Sequence, residues 1–232
     1  MEKHLKATLL LDYRDKSIQE LIRMKNWDQS NEFDKILQTY NYVRDEIKFG
    51  YNVDDAIPAS KVLADGYGQC NTKLILFMAL LRALNIPCRV HGFSIDKELQ
   101  KGALPTYLYK FAPKNIIHSW VEVYYMGKWY NLEGIIIDSQ YLLKLQEKFP
   151  DCKGRFCGYG VSVDNFKNPV IDWSGNDTYI QKESINEDYG TFDNPDALFS
   201  NYPQKLSLLK RFLYRHFGRH IMNRRVDKIR NL

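Results

Sequence analysis

Within residues 58–90, the chain after Cys70 is apolar on almost every side of a helix. Leu74, Phe77, Met78 and Leu81 recur at helical spacing. Ile75, Leu76, Ala79 and Leu80 fill the other faces, which predicts a helix buried in the middle of a domain. Asn85-Ile86-Pro87 ends it. Ahead of it, Pro58 and Gly66-Tyr67-Gly68 mark irregular backbone, and Asn71 or Thr72 can cap the helix. Two amphipathic stretches precede this loop. Residues 15–30 place Ile18, Leu21 and Ile22 on one face. Residues 31–47 do the same with Phe33, Ile36, Leu37, Tyr40, Val43 and Ile47, with Asn31 as cap and Glu32 and Asp34 suited to the first turn. Both are expected to pack on the central helix.

After Pro87 the period changes. Residues 88–94 read as a strand. Residues 95–114, with turn signals at Gly102, Pro105 and Pro113, read as an excursion that could line or cover a cleft. Residues 115–138 are aromatic and β-branched around Met126-Gly127, the signature of a β-hairpin. With that turn, Tyr125 pairs with Lys128, Tyr124 with Trp129 and Trp120 with Glu133. His118, Trp120, Glu122 and Tyr124 then share a face with Trp129, Asn131 and Glu133. His118 lies diagonal to Glu133, about 7–8 Å away at the backbone, within reach of two long side chains. Asp138 falls on the opposite parity.

Residues 139–151 predict a helix packed through Leu142, Leu143 and Leu145 and ended by Pro150. Residues 152–175 read as short strands and turns, and the acidic, aromatic stretch 177–201 as ordered loop and short helix. From Pro203 onward, Leu206, Leu209, Leu213, Phe217 and Ile221 form an apolar stripe on a basic helix that Gly218 should bend or break.

A length of 232 residues, 44% hydrophobic and 26% charged, fits one globular domain with a sizeable core, or a domain plus a small appendage. No apolar run reaches about 18 residues, so no membrane span is expected. The apolar patch Ala7 to Leu11 is too short for a secretory signal, so a cytoplasmic chain with reduced cysteines is expected. Cys70, Cys88, Cys152 and Cys157 do not form a zinc pattern. The net charge of +5 is uneven: from Lys205 to Leu232 nine basic residues face one acid, Asp227. Such a helix can bind nucleic acid or an acidic membrane surface, but docking on its own domain, against the acidic stretch before it, is the favoured reading. His216 and His220 are read as surface residues, and His91 as a strand histidine with a local partner.

Cys70 stands behind the glycine loop at the positive end of the buried helix. That setting lowers a thiol pKa and supplies N–H groups for an oxyanion. A thiolate needs a base for its proton, and that base an orienting acceptor. Cys70, His118 and Glu133 supply the three types in that order. Cys88, following a proline into a strand, reads as a buried apolar-type residue.

With these residues in place, GYGQCNTKLILFMALLRALNIPCRV followed by HSWVEVYYMGKWYNLE resembles the transglutaminase-like superfamily, relatives of papain-type cysteine proteases. NYVRDEIKFGYN and PASKVLADG fit the lead-in, so the resemblance covers roughly residues 35–138. It implies an α+β fold in which a central buried helix carries the cysteine against an antiparallel sheet, with extra N- and C-terminal helices. The catalytic domain would span 1–203 and a basic helical segment 204–232, docked on the same domain. The resemblance further implies Cys70 as nucleophile and His118 as general base and acid. Glu133 stands where the family usually has Asp, one methylene longer. Gln69 precedes the nucleophile as in animal transglutaminases; its side chain or the Cys70 N–H would hold the oxyanion, and Trp120 would wall the site. The implied activity is acyl transfer on peptide or protein amides through a thioester, resolved by water or an amine. No cofactor is expected, and with the calcium-binding elements of animal transglutaminases not apparent, no metal. The alternative is a non-enzymatic member that binds protein partners.

Overall fold

The structure, a computed structural model, describes residues 1–232 apart from Phe111 and the side chains of Tyr107 and Leu108. The N-terminal layer is helical: α1 (Lys16–Met24), α2 (Glu32–Asn41), prolonged by a wide π turn over 42–46, and α3 (Ala59–Asp65). Asn31 caps α2 by accepting the Asp34 N–H at 2.9 Å. Two short parallel strands, β1 (Lys48–Phe49) and β2 (Tyr67–Gly68), bring the loop after α2 beside the start of α4 (Cys70–Ala83). Gly66 ends α3 in the left-handed region at φ +68, which glycine adopts without strain. At Gly68 a Cβ would lie 2.7 Å from Thr72 Oγ1 and 2.8 Å from Lys73 Cγ, so only glycine lets the loop lie this close to the helix.

Helix α4 is the axis of the core. Every residue from Cys70 to Arg82 is buried, and Ile75 through Leu81 are sealed from solvent. Removing one of these large side chains would cost about 2–5 kcal/mol. Its N-cap residue is Gln69, and of the two residues expected to cap it Thr72 takes part and Asn71 does not: Gln69 Oε1 accepts the Asn71 N–H at 2.8 Å, and Gln69 N–H donates to Thr72 Oγ1 at 3.0 Å. Asn71 is drawn away by partners on the neighbouring sheet.

That sheet has four antiparallel strands in the order β5-β4-β3-β8: β3 (Cys88–Asp96), β4 (Asn115–Tyr125), β5 (Lys128–Leu132) and β8 (Ile185–Phe192). The hairpin turns at Met126-Gly127, both with positive φ, and pairs Tyr125 with Lys128 and Tyr124 with Trp129. The ladder stops at Val121 and Leu132, so Trp120 and Glu133 do not pair; Glu133 N–H donates instead to the Thr178 carbonyl at 3.0 Å. Between β3 and β4 lies a short helix α5 (Thr106–Tyr109); within the 95–114 excursion, Phe111 and the Tyr107 and Leu108 side chains lie outside the described residues.

Strand β8 is a correction to the reading of 177–201 as loop and short helix. Its residues INEDYGTF are acidic and half-exposed, because it is an edge strand held by backbone pairing with β3 rather than by an apolar face. Beyond it, α7 (Pro195–Asn201) is capped by Asn194. On the other side of the sheet's end, α6 (Ser139–Lys148) is capped by Asp138, followed by the small hairpin β6 (Phe156–Gly158) and β7 (Val161–Val163). Leu142 and Leu145 are buried there, but Leu143 is exposed, since it falls on the outer side of α6.

The C-terminal segment is one continuous rod: α8 (Leu208–Leu213), a π turn over 214–218, and α9 (Arg219–Arg230). Gly218 keeps helical dihedrals and does not break it. Met222, Val226 and Ile229 are buried against the domain, and Arg230 forms a buried ion pair with Asp138 at 2.8 Å while donating to the Phe49 carbonyl at 2.9 Å. Its acidic partners are therefore Asp138 and, for Arg215, Asp54. Among the described interactions the expected match with 177–201 does not occur: Asp188 pairs with His91, Asp193 with Lys3, and Asp196 accepts from Thr8 and from the Leu10 N–H. Among the described residues no helix is long and apolar enough to cross a membrane.

Candidate active site

Cys70 is the first residue of α4, and its sulfur faces β4. The sequence places two polar residues after it for separate tasks. Thr72 closes the cap. Asn71 reaches across to the sheet: its Nδ2 donates to the Ile117 carbonyl at 3.1 Å, and its Oδ1 accepts from Ser119 Oγ at 2.7 Å. Ile117 and Ser119 flank His118, so one buried amide ties the thiol-bearing helix to both neighbours of the imidazole. The sequence reading saw only a capping residue in Asn71.

His118 and Glu133 are both sealed from solvent, and His118 Nε2 lies 2.7 Å from Glu133 Oε1. The diagonal contact expected from strand alternation is thus made, although Glu133 has already left the ladder. The extra methylene of Glu133 has a use. One oxygen meets the imidazole; the other, Oε2, accepts the N–H groups of Ile180, Gln181 and Lys182 at 2.8, 2.9 and 3.1 Å. A carboxylate so held is fixed as an acceptor and presents a constant face to His118. The other ring nitrogen, Nδ1, is buried without a hydrogen-bond partner among the described residues.

The thiol donates its hydrogen bond to Gln69 Oε1, at 3.3 Å, and no bond to His118 occurs among those described. Burial pushes the Cys70 thiol up, and the Asp55 carboxylate adds to this; the Asn71 and Ser119 N–H groups beside the sulfur pull it the other way. The expected lowering is therefore reversed. The helix terminus is present, but its Asn71 N–H also serves the Gln69 cap, and the desolvation of a buried sulfur outweighs what remains. Gln69 Nε2 donates to Asp55 Oδ1, so the side chain turns its oxygen, not its amide protons, toward the sulfur. Asp55 itself is pushed up to about 6, chiefly by burial. Nothing in the sequence distinguished it from other loop acids.

Trp120 is buried two residues beyond His118, its ring 6.5 Å from the imidazole and 4.1 Å from Phe93, with Nε1 donating to Asn131 Oδ1 at 3.0 Å. It supports the histidine from within the sheet and does not line the cavity over Cys70. His91 bridges Glu122 and Asp188, each at 2.7 Å, the local pairing expected of it. Asp138, capping α6 and paired with Arg230, is remote from this chemistry in its bonding. Cys88 is buried, and all four cysteines are free. Among the described residues no cluster of three or more His, Cys, Asp or Glu could hold a metal ion.

A cavity of about 790 Å³ opens over Cys70, Asn71, Gln69 and Asp55 and is walled on one side by the C-terminal rod. A buried thiol at a helix start, a histidine on the facing strand and a carboxylate behind it are what this chain assembles.

The family model for the transglutaminase-like superfamily matches residues 21–134. This stretch of the chain belongs to the transglutaminase-like superfamily. The matched span runs from α1 to the residue after Glu133 and so contains Cys70, His118 and Glu133. The α+β architecture, a central helix against an antiparallel sheet, is that of the transglutaminase core. No curated protein matches the chain. Among solved structures, one described as "a Putative Cysteine Protease from Cytophaga hutchinsonii" is similar at 13% identity and a TM-score of 0.47. The alignment covers 86% of this chain and 48% of that one, so this chain spans about half the length of that protein. Strand β8, the C-terminal rod and the Ile180–Lys182 amides that hold Glu133 all lie outside the transglutaminase-like match.

Proposed function

We propose that this chain is a cysteine-dependent enzyme that transfers acyl groups from amides, with Cys70 as nucleophile, His118 as general base and acid, and Glu133 as the group that orients His118. The observation that carries this reading is the state of the imidazole: Nε2 is held by Glu133 at 2.7 Å and Nδ1 is left without a partner, one residue from the Ser119 N–H that faces the sulfur. A base committed on one nitrogen and free on the other can accept a thiol proton. The high pKa of the isolated thiol makes that base necessary.

In the reaction, His118 takes the proton of Cys70. The sulfur forms a bond to the amide carbonyl carbon, and the carbon–nitrogen bond then breaks as His118 returns the proton to the leaving amine or ammonia. Water or a second amine attacks the resulting thioester, its proton passing to His118, and the thiol is restored. The thiol must first leave Gln69 Oε1. The Ser119 N–H, beside the sulfur, is a donor open to a developing oxyanion, whereas the Asn71 N–H is already given to Gln69 Oε1. Hydrolysis of peptide or protein amides, or their transamidation, in a reducing compartment such as the cytoplasm, fits this chemistry.

The test is incubation of the protein with amide-substrate libraries, followed by intact-mass analysis. A mass adduct on Cys70 that is labile to hydroxylamine, with release of ammonia or amine, is expected; Cys70→Ser should give neither. Full retention of product release in Cys70→Ser would refute the assignment. Absence of any adduct or release would favour the second reading, a binding module, which the thiol's bond to Gln69 supports.

A further inference from the structure

The cavity over Cys70 is lined mainly by apolar side chains, with Asp54, Asp55, Lys210 and Arg211 among its polar residues. Leu99, Ile116, Leu206, Leu209, Leu213 and Phe217 line it, drawn from the 95–114 excursion, the start of β4, and the C-terminal rod with the residues just before it. Leu209, Leu213 and Phe217 are 67%, 48% and 58% exposed, so the rod turns uncovered apolar side chains toward the space that holds the nucleophile. The polar residues of the lining are largely committed. Gln204 accepts from the Ile117 N–H and donates to the Asn115 carbonyl, and Gln69 is held by Asp55 and the Asn71 N–H. One fully buried acceptor of the lining has no partner among the described residues. Gln181, 98% buried, donates through Nε2 to the Gly160 carbonyl at 2.6 Å, and its Oε1 has no partner among the described residues. Gln181 lines the cavity, and its backbone N–H donates to Glu133, the carboxylate that holds His118.

We infer that the substrate is an amide bearing an extended apolar chain, seated between the excursion and the C-terminal rod, with its N–H donated to Gln181 Oε1. The inference rests on Cys70 being the nucleophile. A volume of about 790 Å³ is enough to enclose a ligand of drug size, far more than a reacting amide alone requires. An unpaired buried carbonyl costs free energy until a donor reaches it, and a substrate amide supplies that donor. The uncovered leucines gain from an apolar chain and would gain nothing from a polar peptide.

N-alkyl chloroacetamides test this directly. The Cys70 sulfur displaces chloride, forming an S–C bond as a C–Cl bond breaks and the thiol proton is lost. Rates are measured by peptide mapping for ethyl, butyl, hexyl and octyl probes. The half-buried Cys152 and Cys157 in the same sample report intrinsic probe reactivity. The rate at Cys70, relative to Cys152, should rise roughly tenfold or more from ethyl to octyl. In Leu209→Gln and Leu213→Gln, both at exposed positions that tolerate the change, that rise should shrink severalfold. The N-methylated octyl probe, which has no N–H to give Gln181, should react more slowly than its parent. A flat or falling chain-length dependence overturns the inference and leaves the nucleophile standing; a falling one would mean that the rod itself closes on the cavity. A rise unchanged in both glutamine variants also overturns it. Equal rates with and without the N–H remove Gln181 from the site. Absence of labelling at Cys70 by any probe, iodoacetamide included, would bring down the nucleophile and this inference together.

Discussion

Replacing Asp55 by asparagine should stabilise the protein at neutral pH and quicken its thiol. The Asp55 carboxyl is half-buried at the floor of the cavity, and burial pushes it up to about 6 from an ordinary value of 3.8. Because the folded chain holds this proton more tightly than the unfolded one, the stability it confers is complete below about pH 4 and is lost as pH rises through 6. A displacement of about two units corresponds to about 3 kcal/mol, and residual contact with solvent trims this to about 1–2 kcal/mol. Asparagine stays neutral and keeps an oxygen for Gln69 Nε2. Asp55→Asn should therefore gain about 1–2 kcal/mol over the parent at pH 7.5 and nothing at pH 4, measured by urea denaturation at a series of pH values. The same charge raises the Cys70 thiol, so alkylation of Cys70 at pH 7.5 should be faster in the variant. A variant that is less stable at pH 7.5, or whose stability difference does not change with pH, would refute the reasoning.

Three further outcomes follow from buried groups elsewhere. Glu133→Gln cannot accept from His118 and from three backbone N–H groups without turning its amide nitrogen against one of them; it should lose roughly 10²–10⁴ in turnover and about 1–3 kcal/mol in stability, read by steady-state kinetics and thermal melting. Although burial works against it, hydrogen bonds from Arg230 hold the Asp138 carboxyl below its usual range, so its stabilisation is present above about pH 4 and is lost as pH falls through the lower folded value; Asp138→Asn should cost about 3–5 kcal/mol at pH 7 and progressively less below pH 4, with the C-terminal rod becoming sensitive to proteolysis. Burial lowers Lys73 to about 7, where its Nζ donates to the Arg44 carbonyl at 3.0 Å, so its charge weakens the fold below pH 7 and less so as pH rises toward 10; Lys73→Met should raise stability by about 1–4 kcal/mol at pH 6 and by less at pH 9.

The parts of this molecule that were legible in the sequence are those set by periodicity and local turn chemistry. The all-round apolar run of α4 gave away its burial, and Met126-Gly127 gave the hairpin register as far as Val121 and Leu132, which brings Glu133 near His118. What was hidden depends on distant partners. Strand β8 carries no apolar face, so its pairing with β3 leaves no period to read. Asn71 looked like a cap because its two partners lie 46 and 48 positions away on β4. Asp55 and Gln181 carry no local signal at all, and their effect on the thiol and the cavity arises only once the loop, the sheet and the C-terminal rod meet. The direction of the thiol pKa was misjudged for the same reason: a helix terminus is visible in sequence, but the burial of the sulfur and its approach to Asp55 are not.

The central claim, that His118 is the base that makes Cys70 a nucleophile, is tested most directly by the pH profile of Cys70 alkylation with iodoacetamide in the parent and in His118→Gln, with Cys152 as internal reference. The parent should react from about neutral pH upward, where a neutral imidazole can take the thiol proton, while the variant, left with a buried thiol beside Asp55, should react only at strongly alkaline pH. Superimposable profiles for the two proteins would contradict the account.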